Sequence, residues 1–389
     1  MRVGLDAIPL ATPRSGVGHY TFELARHLAL AAPADEFELI TPFPLDPSIQ
    51  ASAAENFPDN LRAVHTTVGP LRRRWFAVGL PLYARQSAFD LFHGTNYEVP
   101  LWSAGRTILT IHDLSLLLHP ETHEERLVRR GRRRLPIMAR SATRIITPSE
   151  SVRREVSEVL RIKPSKIVAI PEAPREVFRP VPVAETVELR RRLKVEDEFI
   201  LFVGTIEPRK NLPTLIRAFE EISRSTARRP QLVIAGREGW LTGELFSQVK
   251  KSGLEDRLRF TGYLTDQELC ALYSSCSAFV YPSLYEGFGL PPLEAMACGA
   301  PVITSRIPSI TETVGTEAAR LVPPTDIYEL ARSIVELLSD ESARQRLSSA
   351  GQRRAAEFSW EKTARATLEV YKESLEGKDE PKRRRRDRI

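Results

Sequence analysis

Two short segments hold the side chains best suited to chemistry. In "VGTIEPRKN" (203–211) an apolar run ends at Gly204, and a helix is expected to start around Asn211 to Pro213. Asn is a good helix cap and Pro is tolerated in a first turn. Arg209 and Lys210 are left in the loop, beside the positive end of that helix. Two cations with free amides make a clamp for a diphosphate; a pair of ordinary surface charges is the plainer alternative. In "YEGFGLPPLEAMACGAPVI" (Tyr285–Ile303) a strand "AFVYPS" runs into a glycine loop, and "LPPLEAMAC" follows as a helix stopped by Gly299. Gly287 and Gly289 allow a ligand close to the backbone, with the amides of Phe288, Gly289 and Leu290 facing it. Glu286 would reach the same space from the loop and Glu294 from the first helical turn. Carboxylates bind phosphate poorly but accept well from sugar hydroxyls, so the spacing suits a ligand with phosphates in the middle and a sugar at each end. Complementing the helix dipole would account for Glu294 alone but leaves Glu286 unexplained.

Other candidates carry less. "PRSGVGHY" has Gly16 and Gly18 but continues through His19 and Tyr20 without the third glycine of a dinucleotide fingerprint, and no acidic residue follows at a second strand end. It reads better as a glycine loop meeting phosphate from across a cleft. "TILTIHDLS" sets His112 and Asp113 at a strand end, where a satisfied structural histidine is the competing reading. His119 and His123 are four apart, but Pro120 argues against a shared helix face, and HExxH and Asp-x-Asp are both absent from the sequence. No metal site is expected.

The elements that must position these residues follow from hydrophobic pattern. Strands are expected at "RVGLDAI", "FELITPF", "LRAVHTTV", "DLFHGT", "TILTIHD" and "RIITPS", with helical stretches such as "GHYTFELARHLALAA" between several of them. "KIVAIPEAPREVFRPVPV" is proline-rich and short of a core pattern. The alternation then restarts with "EFILFVGT", "QLVIAG", "RLRFTGYL", "AFVYPS" and "PVITSRI". Continuous apolar strands separated by helices imply parallel sheets covered on both faces. Two sets joined by a hinge imply two doubly wound, Rossmann-like α/β domains facing each other across a cleft, over 1–180 and 181–359. "WEKTARATLEVYKESL" opens an expected helix, 360–376, that would complete the first domain, and 377–389 is expected to be a basic disordered tail.

The totals fit this reading. With 389 residues, 42% hydrophobic and 27% charged, the chain is a globular protein of two cores and not a disordered one. No apolar run is long enough to span a bilayer, and the N-terminus lacks a secretory pattern. Three cysteines (Cys270, Cys276, Cys298) without metal-ligand spacing suggest reduced core thiols and a cytoplasmic protein. The net charge of +6 is concentrated at Arg72–Arg74, Arg129–Arg134 and Lys382–Arg386. Solvated faces are the plain reading. The sharper one is attraction to an anionic membrane surface or a phosphate-bearing substrate. Nucleic acid is not expected, because the clusters lack interleaved aromatics.

"GTIEPRKN" and "EGFGLPPLEAMACGAPVI" together resemble the retaining glycosyltransferases of family 4, whose fold is the two-domain GT-B; Glu286 and Glu294 match that family's E-x7-E motif. "SGVGHYTFELARHL" and "TIHDLSLLLHPE" fit its N-terminal pattern loosely, and "GTIEPRKNL" is most similar to bacterial polysaccharide mannosyltransferases. The resemblance implies that Arg209 and Lys210 neutralise a donor diphosphate, that Glu294 holds the nucleotide ribose, and that Glu286 with the Gly287–Leu290 backbone holds the donor sugar and its phosphate. It also implies that His112 contacts the sugar near the reacting carbon, that Gly16 approaches the diphosphate, and that Tyr263 and Leu264 border the base. Two departures stand out: Thr205 replaces an Arg found in some relatives, and "PEAP" (Pro171–Pro174) replaces a common Asn-Gly. The implied activity moves a hexose, foremost mannose from GDP-mannose, onto a glycan or lipid-linked acceptor with retention, without a cofactor or metal. Alternatives are a UDP-hexose donor, a sugar-nucleotide 2-epimerase on the same fold, and a non-catalytic basic scaffold.

Overall fold

The computed structural model describes residues 1–12, 16–66, 74–100, 105–225 and 228–377. Thirteen strands are present among them. The first sheet contains β1 (Arg2–Asp6), β2 (Glu36–Thr41), β3 (Leu61–His65), β4 (Leu91–Gly94), β5 (Arg106–Thr110), β6 (Arg144–Thr147) and β7 (Ile167–Ala169), in the order β3-β2-β1-β4-β5-β6-β7. The second contains β8 (Phe199–Val203), β9 (Gln231–Ala235), β10 (Leu258–Gly262), β11 (Ala278–Tyr281), β12 (Val302–Ser305) and β13 (Arg320–Val322), in the order β10-β9-β8-β11-β12-β13. Pairing is parallel throughout the second sheet and along β3-β2-β1-β4-β5-β6 in the first. The order reverses at β1/β4 and at β8/β11, the positions where doubly wound sheets open a crevice at their strand ends.

The apolar runs become strands because their side chains are buried on both faces. Every residue of β8, β9 and β11 is buried. Phe199, Phe202, Phe219, Phe279 and Tyr281 are closed off from solvent, each contributing about 1.5–3 kcal/mol through burial. Two strands escape the sequence reading: β7, within the segment expected to lack a core pattern, and β13. Both have three residues and lie on a sheet edge, too short for apolar periodicity to register.

The chain divides into two compact units, one of Met1–Thr110, Met138–Ile146 and Ala364–Ile389, the other of Ile111–Ile137 and Thr147–Thr363. These limits differ from the expected 1–180 and 181–359, because the segments after β5 and β6 group with the second unit. The last helix, Trp360–Glu376, is as expected, and from Ala364 it belongs to the first unit. There Tyr371 is buried with its hydroxyl 2.6 Å from His93 Nδ1. The expected tail lies almost wholly outside the described residues. Cys270, Cys276 and Cys298 are buried free thiols.

Candidate active site

The second unit gathers most of the candidate residues at the ends of β8 and β11. After β8 the chain makes a single 3-10 turn, Pro208–Lys210, and the next helix starts at Leu212. Asn211 takes a left-handed conformation (φ +58°). Its amide donates to the carbonyls of Pro282 and Pro324, and its Oδ1 accepts from Thr214. The turn carrying Arg209 and Lys210 is thus tied to the loop after β11.

Both cations converge on Glu286. Arg209 Nη1 donates to Glu286 Oε2 at 2.9 Å and to the Tyr285 carbonyl at 3.0 Å, while Nη2 donates to Glu207 at 2.7 Å. Lys210 Nζ donates to Glu286 Oε1 at 2.6 Å and to the Tyr281 hydroxyl at 2.6 Å, and that hydroxyl donates on to the same Oε1 at 2.9 Å. All of these groups are largely buried, so the pairing is little screened. Burial opposes the charge on Glu286, but Arg209 and Lys210 outweigh it and hold the carboxyl at about 2. Burial likewise opposes the Arg209 charge and is outweighed by Glu286, Asp113 and Glu207, leaving its pKa well above the usual value. For Lys210, burial and the neighbouring Arg209 win over Glu286, and its pKa is lowered. Glu286 and Glu207 together face the two cations, so Arg209 and Lys210 are held in a fixed, buried network at the strand ends, preorganised toward a ligand whose negative charge grows.

The glycine turn is built by close approach. A Cβ on Gly287 would stand 1.8 Å from the His112 carbonyl oxygen, and the Gly287 carbonyl accepts from Ser149 at 2.8 Å. Gly289 has φ +104°, and a Cβ there would meet Ile310 Cδ1 at 2.4 Å. The side chain of Phe288 is in the core, edge-on to Phe358 at 5.8 Å, so this residue can offer a ligand only its backbone. Leu290 opens the helix Leu290–Ala297, which places Glu294 a full turn beyond the helix start, not in the first turn as expected. Dipole complementation fades beyond the first turn and does not account for it.

Glu294 is as buried as Glu286 but poorly compensated. Arg175 Nη2 stands 3.6 Å from Glu294 Oε1, while Nη1 of the same guanidinium donates to Asp266. Burial pushes the Glu294 carboxyl up to about 7, against the pull of Arg175 and with Asp266 adding to the rise. His112 is also buried, its Nδ1 3.1 Å from Glu172 Oε1. Tyr263 is more than half exposed beneath the Arg237 guanidinium, 4.4 Å from its ring centre, and Leu264 is buried in the core. Gly16 begins the helix Gly16–Ala31 in the first unit, and the preceding 13–15 lie outside the described residues.

Sequence reasoning did not single out Glu172, Arg175, Tyr281 or Glu207. Glu172 and Arg175 had one signal, the replacement of Asn-Gly by "PEAP" just after β7. Tyr281 and Glu207 had none, since a buried tyrosine ending a strand and a glutamate before a proline are unremarkable in sequence.

Comparison with known proteins agrees with this architecture. The family model described as Glycosyltransferase Family 4 matches residues 14–173, and that described as Glycosyl transferases group 1 matches 186–354. The O-antigen chain mannosyltransferase B of Escherichia coli is 32% identical over 383 residues, covering 96% of this chain and 100% of that protein. The serotype-specific mannosyltransferase WbdA of Escherichia coli is 35% identical over 297 residues; the match covers 74% of this chain and 36% of WbdA, so the chain spans about a third of WbdA's length. Among solved structures, a sucrose-phosphate synthase from Thermosynechococcus elongatus superimposes with a TM-score of 0.76 over 96% of this chain and 98% of its own, at 24% identity, a likeness of fold. The chain belongs to glycosyltransferase family 4, has the GT-B fold and is a glycosyltransferase.

Proposed function

We propose that this glycosyltransferase moves mannose from GDP-mannose to a hydroxyl of a glycan or lipid-linked acceptor, with retention at the anomeric carbon and without a metal ion. The observation that carries the reading is the convergence of Arg209 and Lys210 on Glu286 beside the Gly287–Gly289 turn. The names of the full-length relative and of WbdA support mannose as the transferred sugar. A leaving diphosphate gains negative charge as the glycosidic bond breaks, and preorganised cations stabilise that charge without reorganising. Arg209 and Lys210 supply this role, which a metal ion fills in other transferases.

Retention through a covalent intermediate would need a free carboxylate beneath the sugar ring. Glu286 does not suit that role, because Oε1 is held by Lys210 and Tyr281 and Oε2 by Arg209. The favoured route is same-face attack, in which a donor phosphate oxygen takes the acceptor's proton. Glu286 then orders the two cations and meets the sugar hydroxyls, Glu294 receives the ribose hydroxyls, and His112 contacts the sugar.

The lipid-linked acceptor is supported by the helix Glu125–Ser141. Arg126, Arg129, Arg130, Arg133 and Arg134 line one shallow concavity of about 380 Å³. Leu127 and Ile137 lie exposed among them, while Val128, Leu135, Met138 and Ala139 on the opposite side are buried. Arginines flanked by exposed apolar side chains fit an anionic membrane surface. The other basic clusters, Arg72–Arg73 and Lys382–Arg386, lie outside the described residues. Among the described residues no helix is long and apolar enough to cross a membrane.

The decisive assay incubates the protein with radiolabelled GDP-mannose or UDP-glucose, a soluble oligomannose acceptor and EDTA, and identifies products by mass and linkage. Mannose transfer in EDTA is expected. Transfer from UDP-glucose alone would replace the donor, C2 epimerisation without transfer would replace the reaction, and neither product would sink both. For the membrane surface, co-sedimentation with vesicles containing anionic lipid is expected at low salt and is lost in an Arg130→Glu/Arg133→Glu double variant. Equal sedimentation of the variant would remove this helix from the account.

A further inference from the structure

The segment after β7, "PEAPR" (Pro171–Arg175), departs from the family pattern, and the proposed chemistry leaves its charged residues without a role. Both are buried: Glu172 is 5% exposed and Arg175 7%. Each reaches a different end of the candidate site. Glu172 Oε1 is 3.1 Å from His112 Nδ1, and the Arg175 guanidinium is 3.6 Å from Glu294. Arg175 is itself fixed from two further directions: it donates to Asp266, the first residue of the helix Asp266–Ser275, and its guanidinium lies 4.7 Å from the ring centre of Phe178. A buried charge with its partner in place is costly to move, so these contacts anchor the side chains that they touch.

We propose that Pro171–Arg175 is a positioning element of the donor site: Glu172 orients His112 at the transferred sugar while Arg175 sets the charge and place of Glu294 at the ribose, so one short stretch aligns both ends of the nucleotide sugar. The inference rests on the roles of His112 and Glu294 given above. A carboxylate on Nδ1 fixes the imidazole's rotation and its tautomer, and thereby what Nε2 presents to the sugar. For Glu294 the element works through ionisation, because a carboxylate accepts two ribose hydroxyls far better than a protonated acid does. The groups that act on Glu294 are Arg175 from this segment, Asp266, Cys270 and Tyr273 from the helix Asp266–Ser275, and Cys298 at the end of its own helix. Arg175 favours the carboxylate, whereas burial and Asp266 favour the acid, which leaves the group near 7. Nucleotide affinity should therefore rise with pH and level off above neutrality.

The test measures GDP and UDP binding by calorimetry from pH 5.5 to 9, with the full chain. In the wild type the affinity of the preferred nucleotide rises through neutrality. Removing an opposite charge raises a carboxyl by roughly one unit or more, so Arg175→Met should displace the profile upward, about tenfold weaker below neutrality and recovering at high pH. Asp266→Asn should displace it downward, an opposite sign that mere disruption would not produce and that keeps the test alive if Arg175→Met does not fold. Glu294→Gln should bind weakly at every pH. For the other end, Glu172→Gln should lower kcat roughly tenfold with donor KM little changed, an orientation loss.

A wild type that binds neither nucleotide overturns the donor reading and this inference with it. Glu294→Gln binding like the wild type overturns the ribose role. Binding lost in Glu294→Gln, but with the profile unmoved in both Arg175→Met and Asp266→Asn, overturns the inference about Arg175 alone. Full kcat in Glu172→Gln overturns the role given to Glu172.

Discussion

Glu286 and Glu294 are eight positions apart, comparably buried, and lie on either side of one glycine turn, yet they sit at opposite electrostatic extremes. Glu286 has two cations and a tyrosine hydroxyl on its oxygens and is held at about 2. Glu294 has one guanidinium at 3.6 Å, shared with Asp266, and is pushed up to about 7. Burial penalises both charges, and only the number and reach of the partners differ. The loop end of the site is a fixed electrostatic frame. The helix end is poised to change charge near neutral pH.

Linkage gives the contrast opposite signs. The folded-state pKa of Glu286 is depressed, so its contribution to stability is present above the usual 4.5 and is lost as pH falls through about 2. That of Glu294 is raised, so its contribution is complete below about 4.5 and is lost as pH rises through about 7.

The largest effect is expected where the frame is broken. Glu286→Gln leaves Lys210 buried against a neutral amide and Arg209 with Glu207 alone, which should cost about 3–5 kcal/mol of stability. Transfer should fall about 100- to 1,000-fold. Near-normal kcat in this variant would show that the cations do not need Glu286 to hold them. Gly287→Ala attacks the same frame through packing: the new methyl must displace the His112 carbonyl from 1.8 Å, at about 3 kcal/mol by urea unfolding, with transfer lost as His112 shifts.

Glu294→Gln sharpens the comparison from the other side. Measured from pH 4.5 to 7.5, the variant should gain about 3 kcal/mol relative to the wild type, because it lacks the acid that the wild type must ionise while buried. Parallel curves for the two proteins would refute the contrast between the carboxylates. The smallest effect is expected for Tyr281→Phe, which removes one acceptor from Lys210 and one donor to Glu286 and should cost about 1.5 kcal/mol. A loss as large as that of Glu286→Gln would mean that the hydroxyl, and not the carboxylate, organises the pair.

Much of this protein was legible from sequence because the responsible physics is local. Apolar runs of four to six residues between amphipathic helices determined eleven of the thirteen strands seen among the described residues, and a parallel sheet buried on both faces leaves no other use for such runs. The glycines at 287 and 289, the cations at 209 and 210 and the carboxylate at 286 could be grouped from sequence, since each lies between a strand end and a helix start; Glu294 was grouped with them but stands a turn inside its helix. Tertiary structure alone decided who partners whom. Arg209 and Lys210 follow β8 and Glu286 follows β11, strands adjacent in the sheet but separated in sequence by β9 and β10. Their ion pairs exist because a parallel crossover brings those ends together. Glu172 and Arg175 acquire partners across 60 and 119 positions of sequence, His112 and Glu294, and the ionisation of Glu294 depends on desolvation, which no single segment possesses. Sequence thus determined which elements form and which residue types stand at their ends, because propensity and periodicity act over a few residues; charge state and partnership were left to the fold, because burial and Coulomb energy act through space.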